Sequence, residues 1–399
     1  MGKRILIFSL SYYPFEGGAE IALKEITDRI SPEDISFDLI TLRYDTSLPK
    51  KEQVGNVMVY RIGPAKKHPT AEDMVRFPLY LAKVLFPIIA CGKAMLLDRK
   101  YHYDALWAMM SYMGFPAVLF RMIRRKVPYI LTLQEGDDLE MVSGRRRIRI
   151  VRGLFKRVFD EAAVVQAIST YLRNWAYAQG FAGVAEVVPN AVDTERFARV
   201  PVREELSPLE SKTSKKQSDR IIITTSRLVE KNGIGDAIQS LQYLPEDIQF
   251  FILGTGPLRE SLEKQAHNAG VAHRVRFVGH VPYEDIPLYL HIADVFVRPS
   301  HSEGMGNSFI EAMAAGIPVV ATPVGGIPDF LVHKRTGLFA RVGDPKSIAE
   351  QIERFFNDQA LKRTVVENAQ DLVRTHYDWN KVAHDMRERV FARVLAEQI

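Results

Sequence analysis

Cysteine is nearly absent. The single thiol, Cys91, leaves no partner for an intramolecular disulfide and cannot build a thiolate metal cluster, which fits a reducing cytosol. Long apolar runs are missing too. The chain starts basic and then apolar, but the run stops at Tyr12, Pro14 and Glu16, too short for a signal-peptide core and better read as a first buried strand. Leu6 breaks the myristoylation pattern that Met1-Gly2 would begin. The best candidate for a bilayer span, residues 77–97, contains Lys83, Lys93, Pro78 and Pro87. A spanning helix needs about 20 consecutive apolar residues, so this stretch reads as one or two amphipathic helices. Net charge is small at +5 but unevenly spread, and no stacking aromatics or recognition module accompany the basic stretch 145–157, which argues against nucleic acid.

What is present is the composition of a folded enzyme-sized chain. With 399 residues, 47% hydrophobic and 25% charged, two globular domains are the expectation. Continuous apolar runs at 4–9, 37–42, 57–62, 105–108, 129–133 and 163–167 predict buried parallel strands, with helical patterns such as 19–30 between them. That alternation predicts right-handed βαβ units in an α/β domain spanning 1–198. Residues 199–220 are polar, rich in serine and lysine, and read as a linker. A second βα series follows over 221–378, with strands at 221–225, 249–253, 275–278, 295–298, 318–321 and 337–340. Residues 379–399 place Trp379, Val382, Met386, Val390, Val394 and Leu395 on one helical stripe, a terminal amphipathic helix.

The densest chemical signal is SHSEGMGNSFIEAMAAG, from Ser300 to Gly316. Pro299 ends a strand, Glu303-Gly304-Met305-Gly306 forms a loop, and Asn307 is positioned to cap the following helix, with Gly316 just past its end. A glycine-rich loop opening onto a helix N-terminus suits phosphate. Glu311 lies one turn in, on the same face as Asn307, and can point toward the same opening as Glu303. Two acids there repel an anion unless they hold hydroxyls. Read singly, Glu303 is a solvated loop acid and Glu311 a dipole-satisfying helix acid. Arg227 and Lys231 follow the strand at 221–225, where α/β sheets bind ligands, and two such cations can neutralise a diphosphate. Gly17 and Gly18 follow the first strand, and paired glycines permit positive φ and close phosphate approach. Further strand-end loops carry Gly254 and Gly256, with Pro257 as a first helical residue, then His280 and Val281, and Val188-Pro189-Asn190.

Together these motifs resemble glycosyltransferase family 4, through EGMGNSFIE followed by AMAAGIPVVAT and supported by the order of the other loops along nearly the whole chain. The resemblance implies the GT-B fold, two Rossmann-like domains facing a cleft with the C-terminal helix packing back on the N-terminal domain. It implies that Glu311 holds the ribose hydroxyls, Glu303 the transferred sugar, and Arg227 and Lys231 the donor phosphates. Gly17 and Gly18 then lie near the diphosphate or sugar, and His280 and Val281 near the base. Gly254, Gly256, Met305, Gly306 and Asn307 complete the donor site. The family often carries a histidine where this chain has Gln134 and Glu135 in TLQEGDD. A histidine base is absent there, and retaining chemistry can let the leaving phosphate take the acceptor proton. Gln134, Glu135, Asp137 and Asn190 are candidate sugar or acceptor contacts; the acids also read as an ordinary polar loop.

The resemblance thus implies a retaining hexosyltransferase using a UDP- or GDP-sugar, with no cofactor and no obligatory metal, acting on a glycan or lipid-linked acceptor. A non-catalytic sugar-nucleotide-binding protein or an epimerase of similar fold are the rivals. Arg145, Arg146, Arg147, Arg149, Arg152, Lys156 and Arg157 fall in an acid-free stretch, 145–157, interleaved with apolar residues. It reads as a solvated helix face, an anionic-acceptor site or a contact with an anionic membrane surface. The location expected is cytoplasmic, peripheral to the membrane if that last reading holds.

Overall fold

The computed structural model describes residues 2–15, 17–67, 69, 73, 76–137, 139, 151–206, 209 and 219–396. Half of the polar linker, together with residues 145–150 of the arginine-rich stretch, lies outside them. The chain divides into two compact units. Unit 1 comprises Met1–Glu135, Leu139–Asn190 and Trp379–Ile399, and unit 2 comprises Gly136–Asp138 and Ala191–Asp378.

Unit 1 is an eight-stranded sheet. Its strands are β1 (Lys3–Phe8), β2 (Ile35–Leu42), β3 (Lys51–Val54), β4 (Val57–Ile62), β5 (Ala105–Met109), β6 (Tyr129–Leu133), β7 (Val164–Ala167) and β8 (Val184–Val187), in the order β3-β4-β2-β1-β5-β6-β7-β8. Every neighbouring pair is parallel except β3–β4. The central strands are apolar on both faces because helices cover both sides, as parallel sheets require. These helices include α1 (Gly18–Asp28), α2 (Leu79–Tyr101), α3 (Gly114–Ile123), α4 (Arg152–Asp160) and α5 (Thr170–Ala178).

One expectation changes at α2. The stretch forms a single 23-residue helix that runs through Pro87, and it is not amphipathic. Ala82, Phe86, Ala90 and Ala94 are buried on one side, while Leu81, Val84, Leu85, Ile88 and Leu96 stand exposed on the other. By length and composition it could cross a membrane. Its inner face, however, packs on β2 and on α3.

Unit 2 is a six-stranded parallel sheet of β9 (Arg220–Thr225), β10 (Ile248–Leu253), β11 (Val275–Gly279), β12 (Val295–Arg298), β13 (Val319–Ala321) and β14 (Leu338–Phe339), ordered β11-β10-β9-β12-β13-β14. Its helices are α6 (Thr194–Ala198), α7 (Ile234–Ser240), α8 (Arg259–Asn268), α9 (Ile286–His291), α10 (Asn307–Ala314), α11 (Pro345–Asn357) and α12 (Gln359–His376). From β9 the chain builds outward through β10 and β11, then returns to β9's other side with β12. The C-terminal ends of β9 and β12 therefore bracket a topological switch point, where open α/β sheets hold ligands.

The chain end belongs to unit 1. α13 (Trp379–Asp385) continues through a π-helical segment, Met386–Phe391, into α14 (Ala392–Ala396). The apolar stripe read from spacing is buried along its whole length. Phe391 meets Trp107 edge-on at 5.0 Å and lies 5.9 Å from Phe37.

Candidate active site

The β9 and β12 loops are clamped together at the switch point. Lys231 sits on a 3₁₀ turn, Glu230–Asn232, and its carbonyl accepts the His301 N–H at 2.7 Å. Gly233 follows at φ 64°, and a Cβ there would lie 2.0 Å from the Pro299 carbonyl, so only glycine permits this approach. The Lys231 Nζ donates to the Gly136 carbonyl at 2.6 Å and lies 3.7 Å from Asp137. Burial lowers the ammonium pKa, and Glu303 and Asp137 oppose that shift. Arg227 is exposed, and its carbonyl accepts the Asn232 side-chain amide at 2.7 Å.

Glu303 arrives from the β12 side. One oxygen accepts the Gly304 N–H at 3.0 Å, and the other accepts from an Arg298 guanidinium nitrogen. Gly136 stands between the two loops: a Cβ added there would lie 2.6 Å from Lys231 Nζ and 3.3 Å from Glu303 Oε1. Arg298 itself is buried. It donates to Ser308 Oγ at 2.6 Å and lies 4.2 Å over the Phe309 ring, while its Nε meets no partner. Glu311 is buried in α10, and burial pushes its carboxyl up to about 7 against the opposing charges of Arg298 and Arg196. Glu303 and Lys231 thus meet at Gly136, and Arg298, unforeseen in the sequence, faces both Glu303 and Glu311.

Two local expectations are corrected here. Asn307 is the first residue of α10 rather than its cap. Gly306 holds the N-cap at φ 91°, a left-handed conformation suited to glycine, and no side chain caps the helix. Pro257 lies in a turn ahead of α8, which begins at Arg259 after the N-cap Leu258. Gly316, in contrast, follows α10 at φ 74° as anticipated. Gly254, at φ 130°, would place a Cβ 1.9 Å from the Ser226 carbonyl, and Gly256 would place one 2.4 Å from that of Leu228. Both glycines let the β10 loop press against the Arg227 loop. Val281 is half-buried and His280 exposed, just past β11, and Met305 is buried.

Known proteins match both halves of the chain. A family model described as glycosyl transferases group 1 matches residues 208–372, and one described as glycosyl transferase 4-like domain matches 17–191. The chain belongs to this glycosyltransferase family. A GDP-mannose-dependent alpha-(1-6)-phosphatidylinositol monomannoside mannosyltransferase of Mycobacterium tuberculosis is 31% identical over 60% of this chain and 64% of that relative, slightly under two thirds of its length. Sucrose-phosphate synthase from Thermosynechococcus elongatus superposes with a TM-score of 0.82 at 20% identity, covering 99% of this chain and 100% of that one. Anabaena HepE in complex with UDP and glucose gives 0.75 at 19% identity, covering 98% and 100%. Such structural likeness establishes the GT-B fold.

The remaining candidates of this glycosyltransferase lie partly in unit 1. Gly17 precedes α1 in an extended conformation, φ −121°, and Gly18 opens the helix, so neither uses the positive φ that paired glycines allow. Gln134 accepts from the Asn190 amide at 3.2 Å. Glu135 is buried, with Oε1 accepting the Ser111 N–H at 2.6 Å and Oε2 unpartnered, and burial raises its pKa. Met110, just before Ser111, has φ 70°, a strained setting that this carboxylate helps to hold. Asp137 belongs with Lys231 in unit 2, so the TLQEGDD stretch is split between the units. Sequence reasoning missed Arg298. The available signal was a cation closing the otherwise apolar strand VFVR immediately before Pro299.

Proposed function

We propose that the protein is a retaining hexosyltransferase that moves a sugar from a UDP- or GDP-sugar to a glycan or lipid-linked acceptor in cell-surface polysaccharide or glycolipid synthesis. The observation carrying this reading is the meeting of Lys231 and Glu303 around Gly136 at the switch point. The names of the comparison proteins support the donor class: the mycobacterial relative is GDP-mannose-dependent, and HepE was crystallised with UDP and glucose.

In this reading Arg227 and Lys231 hold the donor diphosphate. Negative charge grows on that group as the bond to the sugar breaks, so fixed cations stabilise the transition state more than the bound donor. They supply this charge without an obligatory metal. Glu303 orients the sugar, and Glu311 accepts from the ribose hydroxyls. Backbone groups at Gly254, Gly256, Met305, Gly306 and Asn307 complete the cradle, with His280 and Val281 beside the base. The departing phosphate oxygen takes the acceptor proton on the face it leaves, which preserves the anomeric configuration. An anionic membrane surface is the partner we assign to the arginine-rich stretch 145–157.

A donor panel tests the assignment. Nucleoside diphosphate should be released from donors of one base class, and product analysis by mass spectrometry and NMR should show a retained anomer. Donor binding with no release from any member would make the protein a binder, not an enzyme. The Glu311 carboxyl gives a second test. With its pKa near 7, it is mostly protonated at pH 6 and mostly ionised at pH 8. Only the ionised form accepts from both ribose hydroxyls, so donor affinity should rise about tenfold across that interval. Glu311→Gln should bind weakly and without this slope. A flat wild-type profile by calorimetry would remove Glu311 from the donor site.

A further inference from the structure

A helix that covers a sheet normally turns a polar face outward. From Leu81 to Leu96 the exposed face of α2 has none. Phe77 just before the helix is 81% exposed, and Ile88 and Leu96 are 65% and 61% exposed, with Leu81, Val84 and Leu85 between them along one stripe. Met122 and Ile123 at the end of α3 extend this surface, because Arg124, next in the chain, donates to Asp98 of α2 at 2.7 Å. Contiguous exposed apolar surface of this kind marks an interaction site.

The surrounding charge is of one sign. From Arg76 to Leu133 the sequence holds nine cations (Arg76, Lys83, Lys93, Arg99, Lys100, Arg121, Arg124, Arg125, Lys126) and two acids. Both acids are spoken for: Asp98 pairs with Arg124 at 2.7 Å and Asp104 with Lys3 at 3.1 Å. Beside Met122 a pocket of about 380 Å³ is lined by Arg121, Arg125, Arg157 and Glu161. Glu161 pairs with Arg157 at 2.5 Å, so three guanidinium groups face a single carboxylate. Arginine forks of this kind match phosphate oxygens.

We infer that the outer face of α2 docks unit 1 onto an anionic lipid leaflet, the apolar stripe entering the acyl boundary and the arginine pocket receiving a lipid phosphate. A second copy of the chain fits poorly, since a two-fold contact would set these cations against one another. The inference deepens the membrane contact proposed for the arginine-rich stretch, and rests on that reading only through Arg157. The two differ in what they require: charge alone is screened by salt, whereas an inserted stripe holds.

Vesicle flotation of the full chain separates these cases, using phosphatidylcholine vesicles with and without phosphatidylglycerol. The wild type should float with the anionic vesicles, and part of that binding should survive high salt. The triple change Leu81→Ser, Leu85→Ser, Ile88→Ser should lower partitioning about tenfold or more and leave donor hydrolysis unchanged. Because Cys91 is the sole cysteine, an Ile88→Cys, Cys91→Ser chain can carry an environment-sensitive fluorophore at one site. Its emission should shift to the blue and brighten several-fold on anionic vesicles. Binding lost on reversing Arg145, Arg146 and Arg147, yet unchanged in the triple serine variant, would keep the basic stretch and overturn the α2 face. Absence of wild-type binding would overturn both, and a label that stays in water while the chain floats would overturn the α2 face alone. A dimer that forms without lipid and is broken by the serine changes would assign the face to self-association instead.

Discussion

Lys231→Ala should lower turnover about a thousandfold with little loss of folding. The ammonium is half-buried and already fixed by the Gly136 carbonyl at 2.6 Å, so no reorganisation is needed when charge develops on the diphosphate. Arg227 is exposed and hydrated, and Arg227→Ala should therefore cost less, about a hundredfold. Single-turnover release of nucleoside diphosphate measures both effects, with a thermal melt as the folding control. Near-normal rates in both variants would place the diphosphate elsewhere.

Arg298→Met carries the second large effect, and it falls on stability as well as on binding. The guanidinium is buried with Glu303, and removing one partner of such a pair leaves an uncompensated charge, at a cost of about 3–5 kcal/mol. Adding Glu303→Gln should recover much of this loss, since the orphaned charge goes with it. Arg298 also holds the Glu311 carboxyl down. Without it that carboxyl should titrate higher, and donor affinity at neutral pH should fall beyond what the melt explains. Equal stability of Arg298→Met and wild type in urea titrations would show that the pair contributes nothing.

Most of both sheets could be read from the sequence because buried parallel strands carry uninterrupted apolar runs. The strands at 57–62, 129–133 and 295–298 coincide with β4, β6 and β12. Two strands escaped, and both are edges. β3 reads KEQV and is half in solvent, its pairing set by the turn at Gly55 (φ 55°) rather than by hydrophobicity. β8 reads VAEV, and no residue in it is fully buried. At α2 the lysines and Pro87 argued for interruption, but lysine stems are flexible and largely apolar; Lys93 places its ammonium 5.1 Å over the Tyr60 ring. In the candidate site, acids and cations at strand ends were legible because their spacing follows loop and helix geometry. Arg298 was not, since nothing in VFVR tells whether its last side chain turns to water or folds back onto Phe309. The Glu135–Ser111 contact was equally hidden, because it joins two loops brought together only by the β5–β6 pairing.

The return of residues 379–396 to unit 1 bears on how the chain matures during synthesis. Trp107 and Phe37 are made early, but the ring that packs against them, Phe391, emerges from the ribosome only after all of unit 2. Until then the nascent first unit exposes an aromatic gap that chaperones can recognise. A stop codon ahead of Trp379 would leave that gap open permanently, so unit 1 cannot be expected to mature as a self-sufficient fragment.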